Sequence, residues 1–386
     1  MISYGKHTIS KEDYFEVRKV LKSDFLTQGP KVKSFEKAFC NYTKVKTALA
    51  VNSGTAALHL ACLSLGLKKK DYLWTSSISF VASANCGIYC GANIDFIDID
   101  KKTWNISIDN LRKKLIEAKK NNKLPKVLVV VHLSGLPCDM LTISKICKMY
   151  GVKIIEDACH AIGGEYKNSK IGSCKYSDIT TLSFHPVKNM TTGEGGICLT
   201  NNKKLAEKMR LLSSHGITRK KNLFIKKNIG PWYYEQQELG YNYRMSDINA
   251  ALGISQLKKL DSFINKRIKI DQKYRELLKD MPLKLQEKNK ISKSGLHLFI
   301  VRIDRNKIKK PLKKIFQQMH KNNIFVNLHY IPIYRQPFYK KFKYNISNYP
   351  ESESYYKEAM SLPIYPTLKL SEVKYVVTCL KKILEN

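Results

Sequence analysis

Four apolar runs in the middle of the chain decide the fold: KVLVVVHL (126–133), VKIIEDA (152–158), DITTLSF (178–184) and GICLT (196–200). Each run has the length of a strand and is nearly continuous rather than alternating, as expected for strands that are buried on both faces of a sheet. Helix-like segments, 141–150 and 203–212, separate some of the runs. The pattern predicts an α/β domain with a mainly parallel sheet.

The pattern changes after a helix expected at 246–260. Long polar stretches follow, with a strand-like segment at 296–303, a helix-like segment at 311–320 and another strand-like segment at 324–328. This spacing is typical of a smaller α+β unit. We therefore expect two domains, a large one over 1–255 and a small C-terminal one over 256–386.

The chain of 386 residues carries 68 Lys and Arg against 32 Asp and Glu, which gives a formal charge of +36. A charge of this size raises the question of nucleic-acid or membrane binding. The lysines are spread singly and in short pairs, and neither a zinc-finger spacing nor an RNA-binding aromatic signature accompanies them. The pattern favours a solvated basic surface, and we expect no nucleic-acid partner.

Neither a membrane span nor a signal peptide is indicated by the sequence, since no apolar run reaches the required length. The ten cysteines are scattered in apolar surroundings without a C-x-x-C pair. Such a distribution favours reduced thiols over a zinc or disulfide framework. We expect a soluble cytoplasmic protein with no metal and no membrane partner.

Polar residues that follow buried strands are the candidates for chemistry, because ligands of open α/β sheets bind at the carboxyl ends of strands. The stretch NSGTAA (52–57) joins a short β-like segment to a helix rich in Ala and Leu. Its simplest role is to cap that helix. The same geometry also offers backbone amides and a hydroxyl to a phosphate.

Two further stretches stand out. IIEDACH (154–160) places Asp157 at the end of a buried strand and His160 three residues later; taken alone, they also fit a turn cap and a core histidine. SFHPVKNMTTGEGG (183–196) places Lys188 between a buried strand and a Gly-rich turn. Desolvation there favours the neutral amine that forms a Schiff base. Together, lysine, strand-end acid and phosphate-type helix start match the needs of pyridoxal phosphate.

The chain resembles the DegT/DnrJ/EryC1/StrS sugar aminotransferases, which have the fold of type I pyridoxal-phosphate enzymes. The resemblance runs over nearly the whole chain. It rests on the three stretches above and on LTQGP (26–30), SFVA (79–82), GYNYRMSDI (240–248), AALG (250–253) and VNLHY (326–330). Several long motifs in one order are specific to the family.

The resemblance implies roles for individual residues. Lys188 forms the imine with pyridoxal 5'-phosphate and moves the proton, and Asp157 pairs with the pyridine nitrogen. His160 contacts the cofactor near its ring oxygen, and Phe80 stacks on its ring. Thr55, Ala56 and Ser183 hold the phosphate. Asn242 reaches the phosphate from the neighbouring subunit, so the active site forms in a homodimer.

The resemblance further implies that L-glutamate gives its amino group to C4 of a nucleotide-linked 4-keto-6-deoxyhexose, with Arg244, His329 and Tyr330 near the sugar nucleotide. The stretch PWYYE (231–235) resembles the corresponding stretch in the family branch that acts on UDP-4-keto-6-deoxy-HexNAc in pseudaminic acid synthesis. Gly54 stands where some members of that branch have alanine, a difference that bears on the identity of the sugar more than on the reaction. One alternative is a viosamine-type 4-aminotransferase that acts on UDP- or dTDP-4-keto-6-deoxyglucose. The other is a cofactor-bound regulator or a nucleic-acid-binding protein. The complete motif set and the lack of an appended DNA-binding domain argue against this second alternative.

Overall fold

A computed structural model describes residues 1–226 and 230–385. The helices are α1 Lys11–Leu21, α2 Pro30–Thr43, α3 Gly54–Ser64, α4 Ala82–Tyr89, α5 Ile108–Lys120, α6 Met140–Met149, α7 Lys203–Leu212, α8 Asp247–Leu277, α9 Leu312–Lys321, α10 Pro337–Lys340, α11 Pro350–Glu358 and α12 Leu370–Glu385. The strands are β1 Ile2–Ser3, β2 Thr47–Val51, β3 Tyr72–Ser76, β4 Asn93–Ile97, β5 Val127–Val131, β6 Lys153–Asp157, β7 Glu165–Tyr166, β8 Ser169–Lys170, β9 Ile179–Ser183, β10 Gly196–Thr200, β11 Ile217–Thr218, β12 Glu235–Gln236, β13 Leu283–Leu285, β14 Ser292–Lys293, β15 Phe299–Ile303, β16 Ile324–Phe325 and β17 Ala359–Leu362.

A seven-stranded sheet forms the centre of the molecule, in the order β2-β10-β9-β6-β5-β3-β4. Strand β10 runs antiparallel to both of its neighbours, and the other adjacent pairs are parallel. All five residues of β5 are buried, which explains its unbroken valine-rich sequence. The expected α/β domain with a mainly parallel sheet is confirmed.

Helices cover both faces of this sheet and bury two apolar cores. One face packs against α2, α5, α6 and the first part of α8, with Phe35 and Phe39 at its centre. The other face packs against α3, α4 and α7, through residues such as Leu58 and Met209. This three-layer arrangement leaves the carboxyl ends of the parallel strands at one edge of the sheet.

A third core lies in the C-terminal part of the chain, where the sheet β13-β15-β17 packs with α9 and α12. The expected smaller α+β unit is thus present. Helix α8 runs unbroken across the expected boundary at 255/256, with Ile264 in the first core and Ile270 in the third. Strand β1 pairs with β16, so the N-terminus joins this unit. The division into 1–255 and 256–386 stays a prediction.

Three boundaries expected in this half were wrong. The helix expected to end at 260 continues to Leu277. The reason is that no glycine or proline occurs between Gly253 and Pro282 to end it. The expected strand at 296–303 begins only at Phe299, since Leu296 has a positive φ of 51°. The expected strand at 324–328 ends at Phe325.

Within residues 1–226 and 230–385, none of the helices combines the length and the apolar character that a membrane span requires.

Candidate active site

A cavity of about 1130 Å³ opens at the carboxyl edge of the central sheet. Its walls come from the starts of α3 and α4, the ends of β6 and β9, and the segment that follows β16. The residues that line it include Thr55, Ala56, Phe80, Asp157, His160, Ser183, Lys188, His297, His329 and Tyr330. Residues from distant parts of the sequence therefore converge on one concave site.

The start of α3 provides an anion-binding corner of the cavity. The Ser53 hydroxyl caps the helix by accepting the Ala56 N–H at 3.1 Å. A Cβ added to Gly54 would lie 2.7 Å from the Ser183 Cβ, so only glycine allows the helix start to approach β9 this closely. The corner combines helix N-terminal amides with the Thr55 and Ser183 hydroxyls, which is suited to a phosphate.

Asp157, the last residue of β6, lies buried on the cavity wall with 6% of its surface exposed. The Ser83 hydroxyl donates to its Oδ2 at 2.6 Å, and the Ser79 hydroxyl lies 2.7 Å from that of Ser83. The Cys159 N–H donates to its Oδ1 at 3.3 Å. These donors orient the carboxylate, so Asp157 is fixed before any ligand enters.

Lys188 projects from the loop between β9 and β10. Burial of its amine lowers its pKa below the ordinary range for lysine, although the nearby Cys159 and Asp157 oppose this shift. The loop is held in place by the Asn189 amide, which donates to the carbonyls of Ile162 at 2.9 Å and Gly295 at 2.7 Å. The lysine is thus presented on a rigid loop, with its neutral form favoured.

Three histidines surround the lysine side of the cavity. The His160 Nε2 lies 2.9 Å from the Tyr330 hydroxyl, and the His160 ring lies 4.5 Å from that of His297. Burial, followed by the charge of Lys188, lowers the pKa of His160 and His297 well below the ordinary range and that of His329 to about 3. All three rings are therefore neutral at pH 7.

These buried histidines predict a loss of stability in acid. A histidine whose folded pKa is depressed favours the folded state above its unfolded pKa of about 6.5, and this advantage disappears as the pH falls. For His329, with a folded pKa of about 3, the loss between pH 7.5 and pH 5 amounts to about 2 kcal/mol. We expect His329→Gln to lose less free energy of unfolding between these pH values than the unsubstituted protein, as measured by urea denaturation.

The matched control for this experiment is His185→Gln, because His185 is an exposed histidine near the same cavity. This control removes one histidine ring and leaves the three buried rings in place. Equal pH dependence in His329→Gln and in the unsubstituted protein would show that folding does not lower the pKa of His329.

The structure brings nine of the sequence-predicted site residues into the cavity and leaves two outside. Asn242 and Arg244 do not line it. Asn242 is exposed, and its carbonyl accepts from the Asn52 amide at 3.3 Å. Arg244 donates to the Ser214 hydroxyl at 3.1 Å. The Ala56 N–H, assigned to the phosphate, already donates to Ser53 and would have to be shared. The assigned roles stay predictions.

Sequence reasoning gave no site role to several residues that line or support the cavity, among them Tyr4, Ser83, His297 and Asn327. Ser83 does not line the cavity and acts through Asp157. Tyr4 reaches the cavity because β1 pairs with β16, and its ring lies 4.9 Å from that of His329. Asn327 lies within the VNLHY stretch but was given no role. No local motif marks Tyr4, Ser83 or His297, since strand pairing and packing bring them to the site.

The site fits pyridoxal phosphate by its donor set. One cavity holds an amine with a lowered pKa, a buried carboxylate and the start of α3. At this helix start Gly54 is packed too closely for a Cβ. The buried His160 Nδ1 has no hydrogen-bond partner within the described chain, which leaves it available to a ligand. Among residues 1–226 and 230–385 there is no group of three or more His, Cys, Asp or Glu side chains arranged for a metal ion.

Comparison with known proteins decides the family. The model of the DegT/DnrJ/EryC1/StrS aminotransferase family matches residues 7–381. The chain belongs to this family. Its members have the fold seen here, and a lysine, a strand-end acid and a helix start meet at the cavity as the family resemblance implied. The chain is therefore an enzyme of the aminotransferase class.

Individual relatives agree over full length. The chain is 39% identical to the UDP-4-amino-4,6-dideoxy-N-acetyl-beta-L-altrosamine transaminase of Campylobacter jejuni, over 100% of this chain and 98% of the relative. Helicobacter pylori PseC, an aminotransferase of pseudaminic acid biosynthesis, superposes with a TM-score of 0.90 at 32% identity, covering 100% of this chain and 99% of that one. A Streptococcus pneumoniae protein described as a sugar aminotransferase, solved in its PLP-form, superposes with a TM-score of 0.89 at 27% identity over 100% and 98%.

Proposed function

We propose that the protein transfers the amino group of L-glutamate to C4 of a UDP-linked 4-keto-6-deoxy-N-acetylhexosamine, with pyridoxal 5'-phosphate as its cofactor. The observation that carries the proposal is the meeting of Lys188, Asp157 and the α3 start in one cavity. The full-length similarity to a transaminase of this sugar class supports the choice of substrate.

The chain's own residues account for cofactor binding. Lys188 would hold the cofactor covalently, Asp157 would pair with its ring nitrogen, and the α3 start with Ser183 would hold its phosphate. The exposed Phe80 ring would cover the cofactor ring, and His160 would face its ring oxygen. When bound, the cofactor supplies the electron sink that allows a proton to leave the carbon bearing the amino group.

Lys188 is the residue suited to move that proton. Its amine is desolvated, so the neutral form that accepts a proton at Nζ is favoured. Asp157 and Cys159 lie near enough to oppose the shift. Burial lowers the pKa of His160, His297 and His329, so these rings are weaker bases than the lysine amine and compete poorly with it for a proton. Proton transfer is therefore concentrated on a single amine.

The sugar nucleotide would enter at the side of the cavity formed after β16. His329 and Tyr330 line this wall, and the His329 Nδ1 lies 2.8 Å from the Ser361 hydroxyl. The Tyr330 hydroxyl meets His160 at 2.9 Å, so this wall is linked to the cofactor side. Arg244 lies outside the cavity of its own chain, and we assign it to the diphosphate at the rim. A basic surface favours such a substrate.

A panel of keto sugars with glutamate tests the substrate. We expect turnover of UDP-4-keto-6-deoxy-HexNAc to exceed that of UDP- and dTDP-4-keto-6-deoxyglucose by roughly 10- to 100-fold in kcat/KM, because a site built for the acetamido group leaves polar groups unpaired without it. Products would be identified by mass and NMR. A preference for the 2-hydroxy sugars would instead support a viosamine-type enzyme.

We further propose a homodimer in which Asn242 completes the phosphate site of the partner subunit. Asn242 is exposed at the rim and does not line the cavity of its own chain, which supports a role across an interface. Mixing inactive Lys188→Ala and Asn242→Ala proteins should then restore activity, since one site of each mixed dimer receives both intact residues. Random pairing leaves about a quarter of all sites intact.

The mixing experiment requires that Asn242→Ala alone impairs the enzyme. The loss of a hydrogen bond to a charged phosphate, worth roughly 1.5 to 3 kcal/mol, makes such an effect measurable. Native mass spectrometry would confirm that mixed dimers are present. Mixed dimers that are no more active than their parents would place Asn242 in its own chain's site or in none.

A further inference from the structure

An arginine of helix α8 is buried next to the active site. Arg267 has 1% of its surface exposed. Its Nη1 donates to three backbone carbonyls, those of Leu296 at 3.1 Å, His297 at 3.3 Å and Ile364 at 2.9 Å. Arg267 also borders a small enclosed gap that Lys188 lines from the other side, and Lys188 lines the cavity as well. The guanidinium therefore lies directly behind the lysine loop.

The charge of this arginine has no carboxylate partner. Burial lowers the pKa of Arg267 to about 9, so the guanidinium stays charged at neutral pH. Asp271, one helical turn further along α8, is paired with Arg275 at 3.2 Å and with Lys288. A buried charge is costly unless other groups compensate it. Within the described residues the compensation comes from the backbone carbonyls, so Arg267 and these carbonyls are tied to one another.

Two of the three carbonyls belong to the residues 295–297, here called the junction segment, which lie shortly before β15. The remaining carbonyl of this segment, that of Gly295, accepts from the Asn189 amide at 2.7 Å. Leu296 has a φ of 51°, a left-handed conformation that leucine adopts only where its surroundings hold it. Arg267 and Asn189 thus fix three consecutive carbonyls of a strained segment.

The junction segment reaches the cavity through His297. The His297 ring lines the cavity, has 4% of its surface exposed and lies 4.5 Å from the His160 ring. The Nδ1 atoms of both rings are buried, and neither has a hydrogen-bond partner in the described chain. The position of the His297 ring therefore depends on its backbone, which Arg267 holds, and on its packing against His160.

We propose that Arg267 is a positioning residue of the active site: it holds the backbone of His297 so that the His297 ring packs against His160 and keeps the His160 Nδ1 directed at the ligand. The inference rests on the proposed function, in which that ligand is pyridoxal phosphate. Arg267 does not line the cavity and acts through His297. Arginine suits this role because its planar fork presents several N–H donors in fixed directions.

The competing explanation is that Arg267 only ties α8 to the C-terminal unit, through the Ile364 carbonyl. An arginine with that role alone would change the stability of the protein but not the way the cofactor is held. Arg275→Met is the matched control. Arg275 lies on the same helix and donates to the Gln286 carbonyl at 3.0 Å, outside the junction segment.

Titration of the full-length protein, freed of cofactor, with pyridoxal phosphate tests the proposal, and visible circular dichroism reports the orientation of the bound cofactor. We expect Arg267→Met to weaken cofactor binding roughly 10-fold, as removal of a residue that orients a ligating group does elsewhere, and to change the dichroic band. Arg267→Lys keeps the charge but not the planar fork, so its affinity should lie between those of Arg267→Met and the unsubstituted protein. Arg275→Met should bind the cofactor like the unsubstituted protein.

The same titration in a His297→Ala background tests the route. There Arg267→Met should weaken cofactor binding by less than about threefold, because the ring that it positions is gone. Equal effects of Arg267→Met in both backgrounds would overturn the proposal. If Arg267→Met does not fold, His297→Ala alone decides: affinity and dichroism equal to those of the unsubstituted protein would overturn the proposal as well. Failure of the unsubstituted protein to bind pyridoxal phosphate would instead refute the proposed function, and this inference with it.

Discussion

Lys188→Ala is expected to lower the transamination rate by at least roughly 10²- to 10⁴-fold, the contribution of positioned proton transfer alone. The covalent attachment of the cofactor is lost as well, so the true loss is larger. The fold should persist, because the loop is held by backbone bonds and by the Asn189 amide rather than by the lysine side chain. Steady-state kinetics, the imine absorbance band and circular dichroism would measure these three effects.

Lys188→Arg separates charge from proton chemistry. Arginine keeps a positive charge in the cavity but does not become neutral, so it neither forms an imine nor accepts a proton. We expect it to be as inactive as Lys188→Ala. Near-normal turnover in either variant would remove Lys188 from the mechanism.

Asp157→Asn is expected to lower kcat by roughly 10²- to 10³-fold, as measured for the loss of one preorganised electrostatic group in other enzymes. The amide keeps the shape of the carboxylate but carries no charge to pair with the ring nitrogen of the cofactor. The α3 start and Ser183 are unchanged, so cofactor retention should fall less than turnover. Kinetics of the reconstituted enzyme and a cofactor titration would give the two values.

Ser83→Ala is the matched control for Asp157. It removes the 2.6 Å hydrogen bond to Oδ2 but leaves the charge in place. A hydrogen bond to a charged group is worth roughly 1.5 to 3 kcal/mol, so a loss of about 10- to 100-fold is the upper range. The loss of kcat in Asp157→Asn should therefore be larger than the loss in Ser83→Ala. If Asp157→Asn loses the cofactor while the loaded enzyme turns over normally, Asp157 is structural.

The central sheet was predictable because its strands are marked by composition. Strand β10 and helix α7 begin and end at the expected residues, since buried apolar runs and clear turns delimit them. Helix α8 was expected to end at Leu260, because its second half is rich in lysine and the charged Arg267 and Asp271 stand at buried positions of its apolar face. Tertiary packing on the third core keeps this half helical.

The chemistry of the site was partly predictable for the same reason. Asp157 ends the buried strand β6 and Lys188 lies in the loop after β9, so their position at the carboxyl edge could be inferred from sequence. The contact of His160 with His297 could not, because the two rings belong to different parts of the fold and meet only after packing. Nor does any motif announce that Ser83 holds Asp157.

Transfer of nitrogen from L-[¹⁵N]glutamate to a UDP-linked 4-keto-6-deoxy-HexNAc is the measurement that tests the central claim most directly. The reaction would be run with the purified full-length protein and pyridoxal phosphate, and the product examined by mass spectrometry and ¹⁵N-resolved NMR. We predict that the label appears as an amine on C4 and that 2-oxoglutarate forms in equal amount. Label at another carbon, or no transfer to this sugar while another keto sugar accepts it, would contradict the account.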